Sequence, residues 1–220
     1  INACSHRGAC LIQNENGNRR KFTCPYHGWS FSNKGALIAI SAQEDFGEIN
    51  KNHYGLKTLP VYESAGLIWA IVNPESTVDT KSFLAGYDSM LEIFAFSNWV
   101  YVSKRTFSGP NWKIAYDGYL EYYHVPVLHR ETFGVDATNR GLYYTWGPHQ
   151  HIKSPATEKG HVATETLGYM SELMDKPETE WDTETLTYGV WTVFPTTSIA
   201  SFDAGGRGVL ISQILPGETV

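Results

Sequence analysis

The chain has 220 residues, 17 Lys and Arg against 23 Asp and Glu, a formal net charge of -6, and 42% hydrophobic with 18% charged residues. Such a composition excludes disorder and fits a folded globular chain of one or two domains. The acidic balance, with no basic cluster longer than Arg19-Arg20-Lys21, argues against a nucleic-acid surface, and no apolar run approaches the ~20 residues that cross a bilayer.

Three cysteines argue against a disulfide scaffold and for a reducing, cytoplasmic setting. The chain opens at Ile1 and stops at Val220 in mid-pattern. It therefore reads as an internal piece, with any targeting segment outside it.

Residues 1 to 73 are rich in Gly, Asn and short apolar runs, the texture of a small β domain. Asn14 to Asn18 is a turn signal that predicts a hairpin joining Cys10-Leu11-Ile12 to Lys21-Phe22-Thr23. Ser32 to Gly35 marks a second turn, and Gly66 to Val72 reads as a buried strand. A boundary falls at Asn73-Pro74-Glu75-Ser76. Beyond it, Ser82 to Phe94 reads as a short helix and Val100 to Phe107 alternates like a strand. Residues 111 to 131 carry the best helical pattern, interrupted by Pro126. Thr187 to Phe194, Ser198 to Phe202 and Gly208 to Leu215 read as strands, so the second part is a sheet with helices against it.

Two constellations carry chemistry. The first pairs Cys4-Ser5-His6 with Cys24-Pro25-Tyr26-His27, two loops that a hairpin would bring together. Two thiolates and two imidazoles suit either zinc or a [2Fe-2S] cluster. The first pair is Cys-x-His, and Gly8 and Gly28 follow the histidines closely. Both features are unlike a structural zinc finger, and glycines let backbone amides approach sulfur. Cys10 lies outside this set and reads as a buried free thiol.

The second constellation is Asp117, Glu121, His124 and His129. Glu121 and His124, three apart, share a face of a regular helix. His124 and His129, five apart, would sit roughly 140° around one, so a distortion at Pro126 is needed to bring both rings inward. Alone, this spacing is weak. Two histidines with a carboxylate are nonetheless the donor set of non-haem Fe(II) oxygenases.

The strings Cys4-Ser5-His6-Arg7-Gly8 and Cys24-Pro25-Tyr26-His27-Gly28-Trp29 resemble the two Rieske loops. Asn111-Trp112-Lys113, then Glu121 three residues before His124-x4-His129, resembles the catalytic helix of the Rieske non-haem iron (ring-hydroxylating) oxygenases, large subunit. The specific motifs occupy residues 4–31 and 111–129.

The resemblance implies an α+β fold. A small all-β Rieske domain (1–73) precedes a helix-grip-like catalytic domain of antiparallel sheet plus helices (74–220), truncated at both ends. It implies that Cys4 and Cys24 bind one iron of a [2Fe-2S] cluster and His6 and His27 the other, and that His124 and His129 hold a mononuclear Fe(II). Glu121, where many members have Asp, is the bridging carboxylate, and Asp117 is an acid nearby. The third carboxylate ligand is expected beyond residue 220. Asp182 and Asp203 qualify by chemistry alone and read as turn acids.

Electrons would come from NAD(P)H through a reductase, with or without a ferredoxin, to activate O2 beside a small organic substrate. Ring hydroxylation is the favoured reaction, with N- or O-demethylation and quaternary-amine oxidation as alternatives. Tyr143, Tyr144, Trp146, Phe194 and Phe202 either line the substrate cavity or pack the sheet. The family assembles as a homotrimer, with or without a beta subunit, in which His27 of one chain bonds Glu121 of the next. No nucleic acid or membrane partner is implied. The rivals are a Rieske electron carrier, a zinc-stabilised interaction module, and a member that has lost oxygenase activity.

Overall fold

A computed structural model describes residues 1–14, 16–133, 139, 141–153, 177, 180, 189–203 and 207–217. The chain divides into two compact units, residues 1–62 with 69–78 and residues 63–68 with 79–220.

In the first unit, β1 (Lys21–Thr23), β2 (Ser30–Ser32) and β3 (Leu37–Ala39) form an antiparallel sheet in that order. Lys21 pairs with Ser32 and Thr23 with Ser30, so the turn of the β1-β2 hairpin is the Cys24–Trp29 segment itself. The turn expected at Ser32 to Gly35 joins β2 to β3 and is closed by the Gly35 N–H on the Ser32 carbonyl at 2.9 Å.

The hairpin expected between Cys10–Ile12 and Lys21–Thr23 does not form. Residues 10–12 are irregular because the Asn2 side chain satisfies their backbone instead. Its Oδ1 accepts the Leu11 and Ile12 N–H at 3.1 and 2.9 Å, and its amide donates to the Ile12 carbonyl at 2.7 Å. Cys10 is exposed, not buried as expected, with its thiol on the same Ile12 carbonyl. The core is small: Cys4, Cys24, Trp29, Phe31, Leu37 and Ile40. At roughly 1.5–3 kcal/mol per buried large apolar side chain, a core of this size benefits from a bound group that ties its loops.

β4 (Val61–Ser64) and β5 (Leu67–Ala70) form a two-stranded ribbon across Ala65-Gly66, both at positive φ as a tight hairpin turn requires. Ile68 is 76% and Val72 84% exposed, so this is not the buried strand that its composition suggests.

In the second unit, β6 (Leu142–Trp146), β7 (His149–Lys153), β8 (Gly189–Val193), β9 (Thr197–Asp203) and β10 (Arg207–Gln213) make a five-stranded antiparallel sheet in sequence order. The last three match the strands expected from the sequence. β6 and β7 were not expected, because β7 buries His149 and His151 where an aliphatic pattern would have announced it.

The expected helix over Ser82 to Phe94 divides into α1 (Thr80–Leu84), α2 (Tyr87–Leu91) and a 3-10 turn. Ala85 and Gly86, at φ 53° and 86°, reverse the chain between α1 and α2. The break lets Leu84, Tyr87, Met90, Leu91 and Phe94 all be buried. Tyr87 packs on Trp146, His149 and Trp191, and its hydroxyl donates to the Gln150 carbonyl at 2.6 Å.

Val100 to Phe107 forms no strand: Val100, Val102 and Phe107 are 81–90% exposed. Alternation sets only a preference, and a ladder needs a partner, which no described residue supplies. No helix among the described residues is long and apolar enough to cross a membrane. The α+β class expected from the sequence is the one observed, an all-β unit followed by an antiparallel sheet with helices.

Candidate metal centres

The two ligand loops of the first unit are folded by the same backbone bonds. The Cys4 N–H donates to the Ala9 carbonyl (2.9 Å) and the Gly8 N–H to the Cys4 carbonyl (2.8 Å). The Cys24 N–H donates to the Trp29 carbonyl (2.7 Å) and the Gly28 N–H to the Cys24 carbonyl (3.0 Å). Gly8 and Gly28 close the loops at φ 72° and 69°, in the left-handed region where glycine costs least.

Each sulfur accepts two N–H groups of its own loop, from His6 and Arg7 at Cys4 and from His27 and Tyr26 at Cys24. The two thiols also bond each other. Burial raises the Cys4 thiol. Burial pushes Cys24 up as well, but the His27 and Tyr26 N–H groups and the neighbouring Cys4 outweigh it and hold Cys24 below the usual cysteine range.

The imidazoles pair likewise, the His6 and His27 rings lying 4.9 Å apart. Burial, then the charges of His27 and Arg7, hold His6 below the usual histidine range, which keeps its ring neutral and able to ligate. His6 Nδ1 is buried without a hydrogen-bond partner, as a nitrogen intended for a metal would be. Trp29 stacks on the His6 ring at 4.7 Å and 7°, and its indole nitrogen is also buried and unpartnered. Phe46 and Tyr54 meet Trp29 edge-on.

Sulfur pairs with sulfur and ring with ring. Among the described residues no three His, Cys, Asp or Glu side chains meet as a single ion would require. A four-ligand zinc gathers its donors at one point, whereas a two-iron cluster of Rieske type needs them in two pairs, so the donor set fits the cluster.

In the second unit, Asn111 caps α3 (Trp112–Asp117), its side chain accepting the Lys113 N–H at 3.0 Å. The helix does not run on to residue 131 as expected. It stops at Gly118, and residues 118–124 are turns before α4 (Val125–Leu128) and α5 (Arg130–Phe133). Pro126 is not the breaker. It sits in the first turn of α4, where a missing N–H removes no helical bond.

Glu121 and His124 therefore meet through a turn, not along a helical face. Glu121 Oε2 accepts the His124 N–H at 3.1 Å, and Oε1 bonds His124 Nδ1. A carboxylate only accepts, so Nδ1 carries the proton and Nε2 presents the lone pair. Burial tends to raise the Glu121 carboxyl, but the bonds from the His124 ring and N–H outweigh it and hold it below the usual range. The His129 ring lies 5.2 Å from that of His124, edge-on across the single turn of α4.

Three bonds from the sheet and its neighbours secure the Glu121 turn. Tyr122 Oη donates to the Ile152 carbonyl (3.1 Å), the Gln150 amide to the Leu120 carbonyl (2.9 Å), and Tyr119 Oη to Ser212 Oγ (3.3 Å). Sequence reading missed these tethers, since nothing in a lone Gln or Tyr marks its partner. Asp117 is exposed at the end of α3, and no side-chain bond joins it to Glu121 or His124.

Of the candidate cavity aromatics, Tyr144 is buried and Trp146 stacks on Trp191, while Tyr143 and Phe194 are exposed. Asp182 and the side chains of Phe202 and Asp203 lie outside the described residues. His149 is a satisfied core histidine, Nε2 donating to the Phe83 carbonyl and Nδ1 accepting the Phe194 N–H.

The Rieske [2Fe-2S] domain family matches residues 1–63, and the catalytic domain of the ring hydroxylating alpha subunit matches residues 96–219. The chain is 30% identical over 137 residues to the anthranilate 1,2-dioxygenase large subunit of Acinetobacter baylyi, covering 59% of this chain and 29% of that one. It is 31% identical over 133 residues to the glycine betaine monooxygenase oxygenase subunit of Pseudomonas aeruginosa, covering 59% and 30%.

Naphthalene 1,2-dioxygenase from Rhodococcus sp. bound to indole is similar in structure, with a TM-score of 0.65 at 24% identity over 96% of this chain and 54% of that one. A quaternary ammonium Rieske monooxygenase in complex with L-carnitine gives 0.65 at 19%, over 97% and 56%. These two likenesses show the fold. The matches span about 30% of the curated relatives' length.

Proposed function

The chain belongs to the ring hydroxylating alpha subunit family, and from that premise we propose that it is the core of a Rieske-type terminal oxygenase, with a cluster domain at 1–73 and a catalytic domain at 74–220. The observation that carries the oxygenase reading is the His124–His129 ring pair with His124 held by Glu121, which an electron carrier would not need.

Cys4, Cys24, His6 and His27 would hold the [2Fe-2S] cluster, and His124 and His129 the mononuclear iron, whose third ligand would be a carboxylate expected beyond residue 220. When bound, the cluster supplies single electrons received from NAD(P)H through a reductase, and the iron supplies the centre at which O2 reacts with a small organic substrate. The chain's residues do the positioning. The backbone N–H groups of both loops favour the thiolates, and Glu121 holds His124 with Nε2 free to bind metal.

His27 is exposed, and the Glu121 side chain stays 37% exposed while bonding His124. Both are open to a neighbouring copy, which supports a homotrimer whose His27 meets the next chain's Glu121. Asp117 would add negative charge near that contact.

Aromatic ring hydroxylation is the preferred reaction, following the anthranilate and naphthalene relatives. Quaternary-amine oxidation is the second reading, because the glycine betaine relative is as similar as the anthranilate one. Turnover of benzoate-type acids set against betaines separates the two.

In prereduced full-length protein, Glu121→Ala is expected to keep both metals yet lose nearly all product in a single turnover. Normal single turnover would remove Glu121 from the electron route. A colourless, zinc-containing wild-type protein without acid-labile sulfide would overturn the cluster and the oxygenase together.

A further inference from the structure

Two stacked rings in the first unit each carry a buried nitrogen with no partner, His6 Nδ1 and Trp29 Nε1. The first is accounted for as a metal ligand. The second has no such account, because an indole nitrogen is a donor only and does not ligate.

Packing explains the ring of Trp29, which is 2% exposed and meets His6, Phe46 and Tyr54, but packing gives no reason for an N–H. A Phe would fill much of the same slot without burying an unpaired donor, and such a donor costs stability unless an acceptor is supplied. The protein sulfurs are not that acceptor. Cys4 and Cys24 take N–H groups from their own loops and bond each other, and no bond from Trp29 reaches either.

We infer that the Trp29 indole N–H donates to an inorganic sulfide of the cluster held by Cys4, Cys24, His6 and His27, making Trp29 a positioning residue that sets the cluster's potential. This rests on reading the first site as a Rieske cluster. Reduction adds negative charge to the sulfurs, so a donor aimed at one of them favours the reduced state and raises the potential. The His6–Trp29 stack also fixes the plane of the ligating imidazole.

The test is Trp29→Phe in the full-length protein, purified anaerobically, with iron and acid-labile sulfide assayed and the cluster titrated under EPR. The expected result is an unchanged cluster content with a reduction equilibrium about tenfold less favourable, a fall of about 59 mV for a one-electron couple. Full cluster content with an unchanged potential would overturn the inference and leave Trp29 a packing residue. A wild-type protein without sulfide would sink the cluster reading itself, and the sulfide assay tells that failure apart.

Should the variant not retain its cluster, wild-type protein carrying tryptophan labelled with 15N in the indole ring answers the same question. Pulsed EPR of the reduced protein is expected to show a labelled nitrogen coupled to the cluster, its proton exchangeable in D2O. Coupling to the two histidine nitrogens alone would refute it.

Discussion

In the first unit the donors arrive on two loops of one backbone design, and each sulfur is held by N–H groups from its own loop. In the second they arrive on a single stretch, and the ring is oriented by a side chain, Glu121, whose turn is tied to residues far away in sequence. The first site is thus encoded locally and depends on glycine conformation. The second depends on long-range bonds and on one carboxylate. The two should fail differently when perturbed.

The largest effect is expected from Cys24→Ser. It removes one of the two sulfurs that would hold the cluster, and should abolish acid-labile sulfide and visible colour while iron falls only to the content of the mononuclear site. Loss of all iron would show that the two sites do not fill independently, and would break the comparison.

Next come the loop glycines. Gly8→Ala and Gly28→Ala both place a Cβ in the left-handed region, at a cost of about 1 kcal/mol each. At Gly28 the new Cβ would also lie 3.0 Å from Ser41 Oγ, whereas Gly8 has nothing within 4 Å. Gly28→Ala should therefore lower stability by about 2–3 kcal/mol, against about 1 for Gly8→Ala, in urea unfolding of the cluster-loaded protein. Equal costs would mean that backbone strain alone decides.

The smallest effect concerns pH and belongs to the second unit. Burial pushes the Tyr144 phenol from 10.0 up to about 12, and raises Tyr87 and Tyr122 as well. Below pH 10 both folded and unfolded chains keep Tyr144 protonated, and its contribution is fully present. Between pH 10 and 12 the unfolded chain ionises first, so stability falls as pH rises. Tyr144→Phe should make the decline of the urea midpoint across that window shallower, without altering cluster absorbance. An identical slope would place the alkaline sensitivity elsewhere.

How much was legible in the sequence depended on whether a residue's partner was near it in the chain. Cys4, His6, Cys24 and His27 could be read because thiol and imidazole chemistry is rare and their loops close on their own glycines. β8 to β10 were legible from β-branched runs between turns. β6 and β7 were missed, since two of the three buried positions of β7 are filled by His149 and His151, and His149 is satisfied by Phe83 and Phe194, distant in sequence. The hairpin predicted at Cys10–Ile12 failed because Asn2 supplied the bonds a second strand would have made.

The sequence by itself determined which side chains can bind metal, in what order, and that Glu121 stands three residues from His124. Side-chain chemistry and short spacing survive any fold that keeps the loops. Only the tertiary structure decided that α3 ends at Gly118, that Glu121 grips His124 through a turn, and that Trp29 lies flat on His6 with its N–H buried. Helix ends and ring stacking are settled by small differences between local propensity and long-range bonds, and those bonds exist only once the sheet and loops have closed.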